Sequence, residues 1–224
     1  MCGRFTLTLD PGELQEKLDL GPFLEMYQPR YNIAPTQPVS VVRDGKSRAI
    51  EQFRWGLIPS WAKDMDIGSR MINARAETLV EKPSFRNLIK QKRCLILADG
   101  FFEWSVQDPA KGKVPFYFQV DDGEPFTFAG LYDEWKPPEG EKVFSCTIIT
   151  CAPNELVNSY HNRMPVILGK EKRWKWIEEG LPIDPALGML LPYPAEEMSV
   201  RQVSKAINSP QNDSPDILLA ETGR

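Results

Sequence analysis

At 224 residues, 42% hydrophobic and 26% charged, the chain has the composition of a folded globular protein of one large domain or two small ones, which excludes a disordered or low-complexity polypeptide. A formal net charge of −4 argues against coating nucleic acid by sheer positive charge, yet residues 30–93 carry 13 Lys/Arg against 6 Asp/Glu, a local excess that suits either a face for a polyanion or a solvated surface. No apolar run approaches the ~20 residues of a membrane span, no secretory leader is evident, and the four cysteines form no Cys-x-x-Cys pair or disulfide framework, so a reducing, cytoplasmic compartment is expected.

The first informative position is Cys2, in Met1-Cys2-Gly3-Arg4-Phe5. If Met1 is removed, Cys2 carries an α-amine with a pKa near ~8 and a thiol near ~8.5 on one carbon skeleton. Such an aminothiol condenses with an aldehyde to an imine and closes, by thiol addition, to a thiazolidine ring. An internal cysteine cannot, because its nitrogen is locked in an amide. The alternative is that Met1 stays and position 2 is incidental.

Asp10-Pro11-Gly12-Glu13 predicts a helix start, with the helix running to about Leu18. Tyr31 to Pro38 reads as irregular because two prolines interrupt any ladder. Val39–Arg43 and Ala49–Trp55 read as paired strands around Asp44-Gly45, and Ser84–Lys92 as an amphipathic helix. Strands are predicted at Cys94–Ala98, Phe101–Val106, Pro115–Val120, Phe126–Trp135 and Val143–Thr150. A short helix over Asn154–Tyr160, a strand over Pro165–Leu168 and a helix over Lys170–Glu179 follow. Strands without alternating long helices argue against a doubly wound parallel sheet. The expected fold is α+β: a single domain, residues 1–208, around a mostly antiparallel, curved, barrel-like sheet with short flanking helices. Residues 209–224 read as a polar, loosely attached tail.

Several positions could carry chemistry. Phe101, Glu103 and Ser105 share one face of a strand, so Glu103 is either a carboxylate desolvated among aromatics or an exposed edge residue. His161, the only histidine, is placed in a loop between a helix and a Pro-limited strand, as a proton shuttle or a merely structural group. A single histidine gives poor support to a zinc site. Asn73 and Arg75 alternate onto one face, where an amide can orient a carbonyl or amine and a guanidinium can clamp a phosphate, or they cap a helix at the surface. Trp55 reads as core and Trp61 as a surface platform for a base.

Six motifs then occur in order: Met1-Cys2-Gly3-Arg4-Phe5, Tyr31-Asn32-Ile33-Ala34-Pro35-Thr36, Arg54-Trp55-Gly56-Leu57-Ile58-Pro59-Ser60-Trp61, Asn73-Ala74-Arg75-Ala76-Glu77-Thr78, Ala98-Asp99-Gly100-Phe101-Phe102-Glu103-Trp104 and His161-Asn162-Arg163-Met164-Pro165. With these the chain resembles the SRAP family (SOS-response-associated peptidases), whose members shield abasic sites in single-stranded DNA. The resemblance runs from residue 2 to about Asn208. One departure is Ala62 after Trp61, where some relatives carry a second aromatic; it bears on the extent of base stacking.

The resemblance implies that Met1 is removed in a peptidase-like, self-processing step and that Cys2 forms a thiazolidine crosslink with the ring-opened abasic sugar. An AP-lyase activity falls within the same implication. Glu103 would orient or deprotonate the Cys2 amine, His161 would protonate the sugar ring oxygen, and Asn73 would hold the reacting oxygen or the N-terminus. Arg4, Arg75 and Arg163 would meet phosphates, Pro35 and Trp61 would wall the lesion, and Asn32, Thr150 and Ser204 would lie along the DNA path. No metal or organic cofactor is expected. The expected partner is single-stranded DNA bearing abasic sites, bound by a monomer that is cytoplasmic and nucleoid-associated when on DNA. Two other readings stay open: an N-terminal-nucleophile cysteine peptidase or amidohydrolase acting in trans, and a single-strand binding module without chemistry.

Overall fold

Asp10 caps the first helix, its side chain accepting from the amides of Gly12 at 2.8 Å and Glu13 at 3.2 Å, with Pro11 in the first turn. The computed structural model describes residues 2–22, 27–106 and 112–219. The elements run β1 (Phe5–Leu7), α1 (Pro11–Leu18), β2 (Arg30–Ile33), β3 (Pro38–Val42), β4 (Glu51–Trp55), β5 (Asn73–Arg75), α2 (Leu88–Gln91), β6 (Arg93–Ala98), β7 (Gly100–Ser105), β8 (Val114–Val120), β9 (Phe126–Trp135) and β10 (Val143–Cys151). They end with α3 (Glu155–Asn158), β11 (Met164–Pro165), β12 (Ile167–Leu168), α4 (Lys170–Trp176), α5 (Ile183–Leu187) and β13 (Met198–Gln202).

Strands β10, β4, β3, β6 and β9 pair in that order, and β9 pairs back onto β10, closing a five-stranded barrel. Its pairings are antiparallel except β4 on β10. Strands β5 and β11 also pair with β10, and β12 with β9. A second, fully antiparallel sheet runs β13-β8-β7-β1-β2. The expected α+β domain around a curved, mostly antiparallel sheet is the fold that forms.

The second sheet packs on the barrel through Phe5 and Phe101, which meet Phe128 at 5.6 and 6.3 Å between centroids; within that sheet Phe101 stacks on Phe118 at 5.0 Å. Each fully buried phenylalanine contributes roughly 1.5–3 kcal/mol of transfer free energy. Alternation along β7 turns Phe102 to the other side, where it joins Tyr117, Val203, Ile207 and Ile217. Gly100 is required there: a Cβ would meet the Tyr117 hydroxyl at 2.2 Å.

Four expectations are corrected. The segment 31–38 begins as a strand, β2, because its prolines start only at Pro35 and leave Tyr31–Ile33 their amides. Of the helix expected over 84–92 only Leu88–Gln91 is α-helical; Asn87 makes no side-chain cap bond, and the residues before it form separate turns. Their apolar face is still buried through Phe85, Leu88 and Ile89. The strand expected over 165–168 splits, because the Val166 amide turns back to Ile149 (2.8 Å) while its carbonyl accepts from Ala129 (2.9 Å), passing the chain from β10 to β9. Residues 209–219 are not loose. Asp213 accepts from the Asn32 amide at 2.8 Å and pairs with Arg30, and Ile217 is buried.

Candidate functional site

β1 lies antiparallel to β7 with Phe5 opposite Phe101, and the Phe102 amide donates to the Arg4 carbonyl at 3.0 Å. Continued in that register, residues 2 and 3 run alongside Glu103. Asp99, between β6 and β7, anchors this arm. It is buried and accepts from the hydroxyls of Thr6 and Thr8 and the amide of Leu9 (3.3 Å). No local sequence pattern marks this role of Asp99.

Cys2 is fully buried. Its thiol is pushed well above the ordinary range, first by burial and then by the negative charge of Glu103. Asn73, on β5, donates its side-chain amide to the Cys2 carbonyl at 2.8 Å. Two contacts of the buried Trp55 fix this geometry. Its indole N–H donates to the Ile72 carbonyl at 2.9 Å, just ahead of Asn73, and its ring meets Phe5 edge-on at 5.1 Å. One core side chain therefore spaces β1, which Cys2 leads into, from the strand that carries Asn73. Trp55 is core, as expected.

Glu103 is 3% exposed, which removes the exposed-edge reading. Burial raises its carboxyl above the usual carboxylate range, and the nearby His161 charge opposes that rise. His161 follows α3, whose cap Asn154 accepts from the Val157 amide at 2.9 Å; the His161 amide bonds the Val157 carbonyl at 2.9 Å. Its Nδ1 receives the Arg163 amide at 3.0 Å and lies 3.2 Å from the Arg163 carbonyl. The structure thus sets Asn73 on β5 and Glu103 on β7 against Cys2, which precedes β1, and brings His161, in the loop before β11, within electrostatic reach of Glu103. A hydrogen-bonded amide, a buried carboxyl, an imidazole and a thiol are side chains that general acid–base and nucleophilic chemistry can draw on.

The other expected residues are placed less uniformly. Trp61 is 61% exposed on a loop pinned at both sides, by the Ser60 amide to Asp133 and the Trp135 indole to the Ala62 carbonyl, each at 2.8 Å. Pro35 is half-buried and precedes Thr36, a β-branched residue at φ 72°. That turn is held from both ends: the Thr36 amide donates to Trp55 O at 2.8 Å and its carbonyl accepts from Arg54 at 2.9 Å. Arg75 is exposed.

Arg4 and Arg163 are engaged internally. Arg4 donates to Asn32 Oδ1 at 2.6 Å and the Ile207 carbonyl at 2.7 Å, and Arg163 grips both oxygens of Glu77 at 2.7 and 2.9 Å. Asn32 is fully buried, its Nδ2 spread over the carbonyls of Ile207, Ser209 and Asn212. Thr150 is buried beside Ala74, and Ser204 caps a 3-10 turn. A groove of about 1600 Å³ lies elsewhere, against Arg43, Lys90 and Trp174, and includes none of Cys2, Asn73, Glu103 and His161. Among the described residues no helix is long and apolar enough to cross a membrane, and no group of His, Cys, Asp or Glu could hold a metal ion.

The chain is similar to known proteins in both sequence and fold. The model of the SOS response associated peptidase (SRAP) family matches residues 1–210. The abasic site processing protein YoqW of Bacillus subtilis is 46% identical over 222 residues, covering 97% of this chain and 99% of its own. The abasic site processing protein HMCES of Xenopus tropicalis is 32% identical, covering 98% of this chain and 78% of its own. A solved structure from Bacteroides thetaiotaomicron superposes with a TM-score of 0.88 at 28% identity, covering 98% of this chain and 99% of that one. Another, from Bordetella bronchiseptica, superposes at 0.78 with 26% identity, covering 91% and 100%.

Proposed function

The chain belongs to the SRAP family, and from that premise we propose that it processes abasic sites in DNA by forming a covalent thiazolidine with them. The observation that carries this reading is Cys2, buried beside Glu103 and held by Asn73, in a chain whose relatives bear the name abasic site processing protein. Met1 lies outside the described residues; its removal, by a peptidase-like step of the protein itself, is part of the proposal.

With the Cys2 thiol held neutral by burial and by Glu103, attack starts at nitrogen. The freed α-amine adds to C1′ of the ring-opened sugar, and loss of one water leaves an imine. The S–H then adds across the C=N bond: sulfur bonds C1′ and the proton passes to nitrogen. Glu103, its carboxyl raised by burial, takes the amine proton and returns it to the departing hydroxyl. His161 donates to the sugar ring oxygen, favouring the open aldehyde. Asn73 keeps Cys2 in place.

Single-stranded DNA would cross the site with Trp61 and Pro35 against the gap left by the missing base. Among the three arginines, Arg75 would meet a phosphate directly, while at Arg4 and Arg163 a phosphate would share the guanidinium with the protein's own acceptors. Asn32, Thr150 and Ser204 would shape this path from beneath. Lesion-specific, sequence-tolerant binding that weakens with salt is expected of a monomer in the cytoplasm or on the nucleoid. The reaction needs no metal or organic cofactor.

The test is a denaturing gel of the purified protein with single-stranded DNA carrying one abasic site. A heat-resistant shifted band, absent with Cys2→Ala and at most transient with Cys2→Ser, supports the reading. Hydrolysis of amide substrates in trans without an adduct would replace it with an N-terminal-nucleophile hydrolase.

A further inference from the structure

We propose that Glu77 is a positioning residue for His161, acting through Arg163 to decide which imidazole nitrogen carries the proton. The proposal rests on the reading above for its catalytic meaning, although its geometry stands without it.

Arg163 offers His161 Nδ1 two incompatible partners: its amide donates to Nδ1 at 3.0 Å, and its carbonyl lies 3.2 Å away. With the amide as partner, Nδ1 is an acceptor and the proton sits on Nε2. With the carbonyl as partner, Nδ1 carries the proton and Nε2 is bare. The nitrogen left protonated follows from the bond the other one makes. The orientation of one backbone segment therefore selects the tautomer, and only the Nε2–H form has an Nε2 proton to give a sugar oxygen.

That segment is held by its own side chain. The Arg163 guanidinium donates to Glu77 Oε1 at 2.7 Å, to Glu77 Oε2 at 2.9 Å and to the Thr150 carbonyl at 2.6 Å. The arginine side chain is 15% exposed and the glutamate 52%. An exposed ion pair by itself adds little. Here the two-pronged fit onto a planar fork fixes direction as well as charge. The arginine also holds the Glu77 carboxyl below the usual carboxylate range, so the grip persists at neutral pH.

Glu77 lies in the 3-10 turn Ala76–Thr78, directly after β5 with Asn73. The strand that carries Asn73 to the Cys2 carbonyl therefore runs straight into the turn whose carboxylate grips Arg163 beside His161. A single short segment, residues 73–78, ties Cys2 to the His161 loop.

The single histidine makes this directly observable, because the imidazole nitrogens of the free protein give one set of ¹⁵N signals. Wild type is expected to show the Nε2–H tautomer. Glu77→Gln is expected to shift the population toward Nδ1–H and to slow adduct formation on the order of tenfold, less than removal of the imidazole itself. Glu77→Asp should restore much of both. Arg163→Lys keeps the charge but loses the fork, and should shift the tautomer in the same direction, so the inference is testable even if Glu77→Gln folds poorly. Melting curves of the variants identify those that are folded. A folded Glu77→Gln or Arg163→Lys protein with the wild-type tautomer ratio overturns the proposal. The tautomer is read without DNA: a wild type that forms no adduct but shows these shifts would sink the crosslinking reading and leave the positioning role standing.

Discussion

Asn73 reaches across 71 residues of sequence to bond the Cys2 carbonyl at 2.8 Å, making β5 the ruler against which the reactive residue is set. Asn73→Ala is expected to slow adduct formation roughly 10²-fold, as for loss of one preorganised donor, while costing about 1 kcal/mol of stability. Single-turnover gel kinetics beside a denaturant titration separate the two. An equal loss in both would mark Asn73 as scaffold only.

Glu103 couples activity and stability in opposite directions. Its carboxyl is raised by burial, so its favourable contribution to folding is fully present below the unfolded value near ~4.3 and is lost as pH rises through the higher folded value. Ionised Glu103 is a strain on the fold at neutral and alkaline pH. Glu103→Gln should therefore melt at or above the wild-type temperature at pH 8, with that advantage disappearing in acid, and should form adduct ~10²- to 10⁴-fold more slowly. Melting curves over a pH series check the sign; a Glu103→Gln protein less stable at pH 8 than at pH 4, relative to wild type, would reverse it.

Much of this arrangement was legible before the structure. The β9 bounds coincide with the expected Phe126–Trp135 because turn residues bracket a continuous strand pattern. Trp55 and Trp61 divide into core and surface as their neighbours suggest. Barrel closure by β9 on β10, and the parallel step from β4 to β10, were not legible, since register between distant strands is decided by packing. The same holds for Arg4 and Arg163. A charge in a motif reads as available, yet both spend their donors on internal acceptors that no local pattern marks. Asp99 and Asp213 were missed for the converse reason: a lone aspartate between regular elements does not announce the distant amides and hydroxyls it gathers.

Asp213 makes the tail structural. Asp213→Ala removes the acceptor for the Asn32 amide and the partner of Arg30. Losing a charged acceptor of this kind costs about 2–3 kcal/mol, which for a chain of this length lowers Tm by roughly 4–12 °C. A thermal melt reads it directly, and an unchanged Tm would show that residues 209–219 add nothing to the fold.

Trp61, more than half exposed on a pinned loop, should behave as a binding residue with no structural debt. Trp61→Ala is expected to weaken single-stranded DNA binding by ~1–3 kcal/mol, roughly 5- to 150-fold, at unchanged Tm. Fluorescence anisotropy at fixed salt measures this. Affinity that stays level would take the DNA path off this loop.

Intact-mass spectrometry of the protein before and after mixing with a single-stranded oligonucleotide bearing one abasic site asks the central question most directly. Before mixing, the expected mass is that of the chain without Met1. After mixing, the expected mass is that protein plus the oligonucleotide less one water, with Cys2 as the linked residue on digestion. An adduct that retains Met1, or one linked through any residue other than Cys2, would contradict the thiazolidine mechanism.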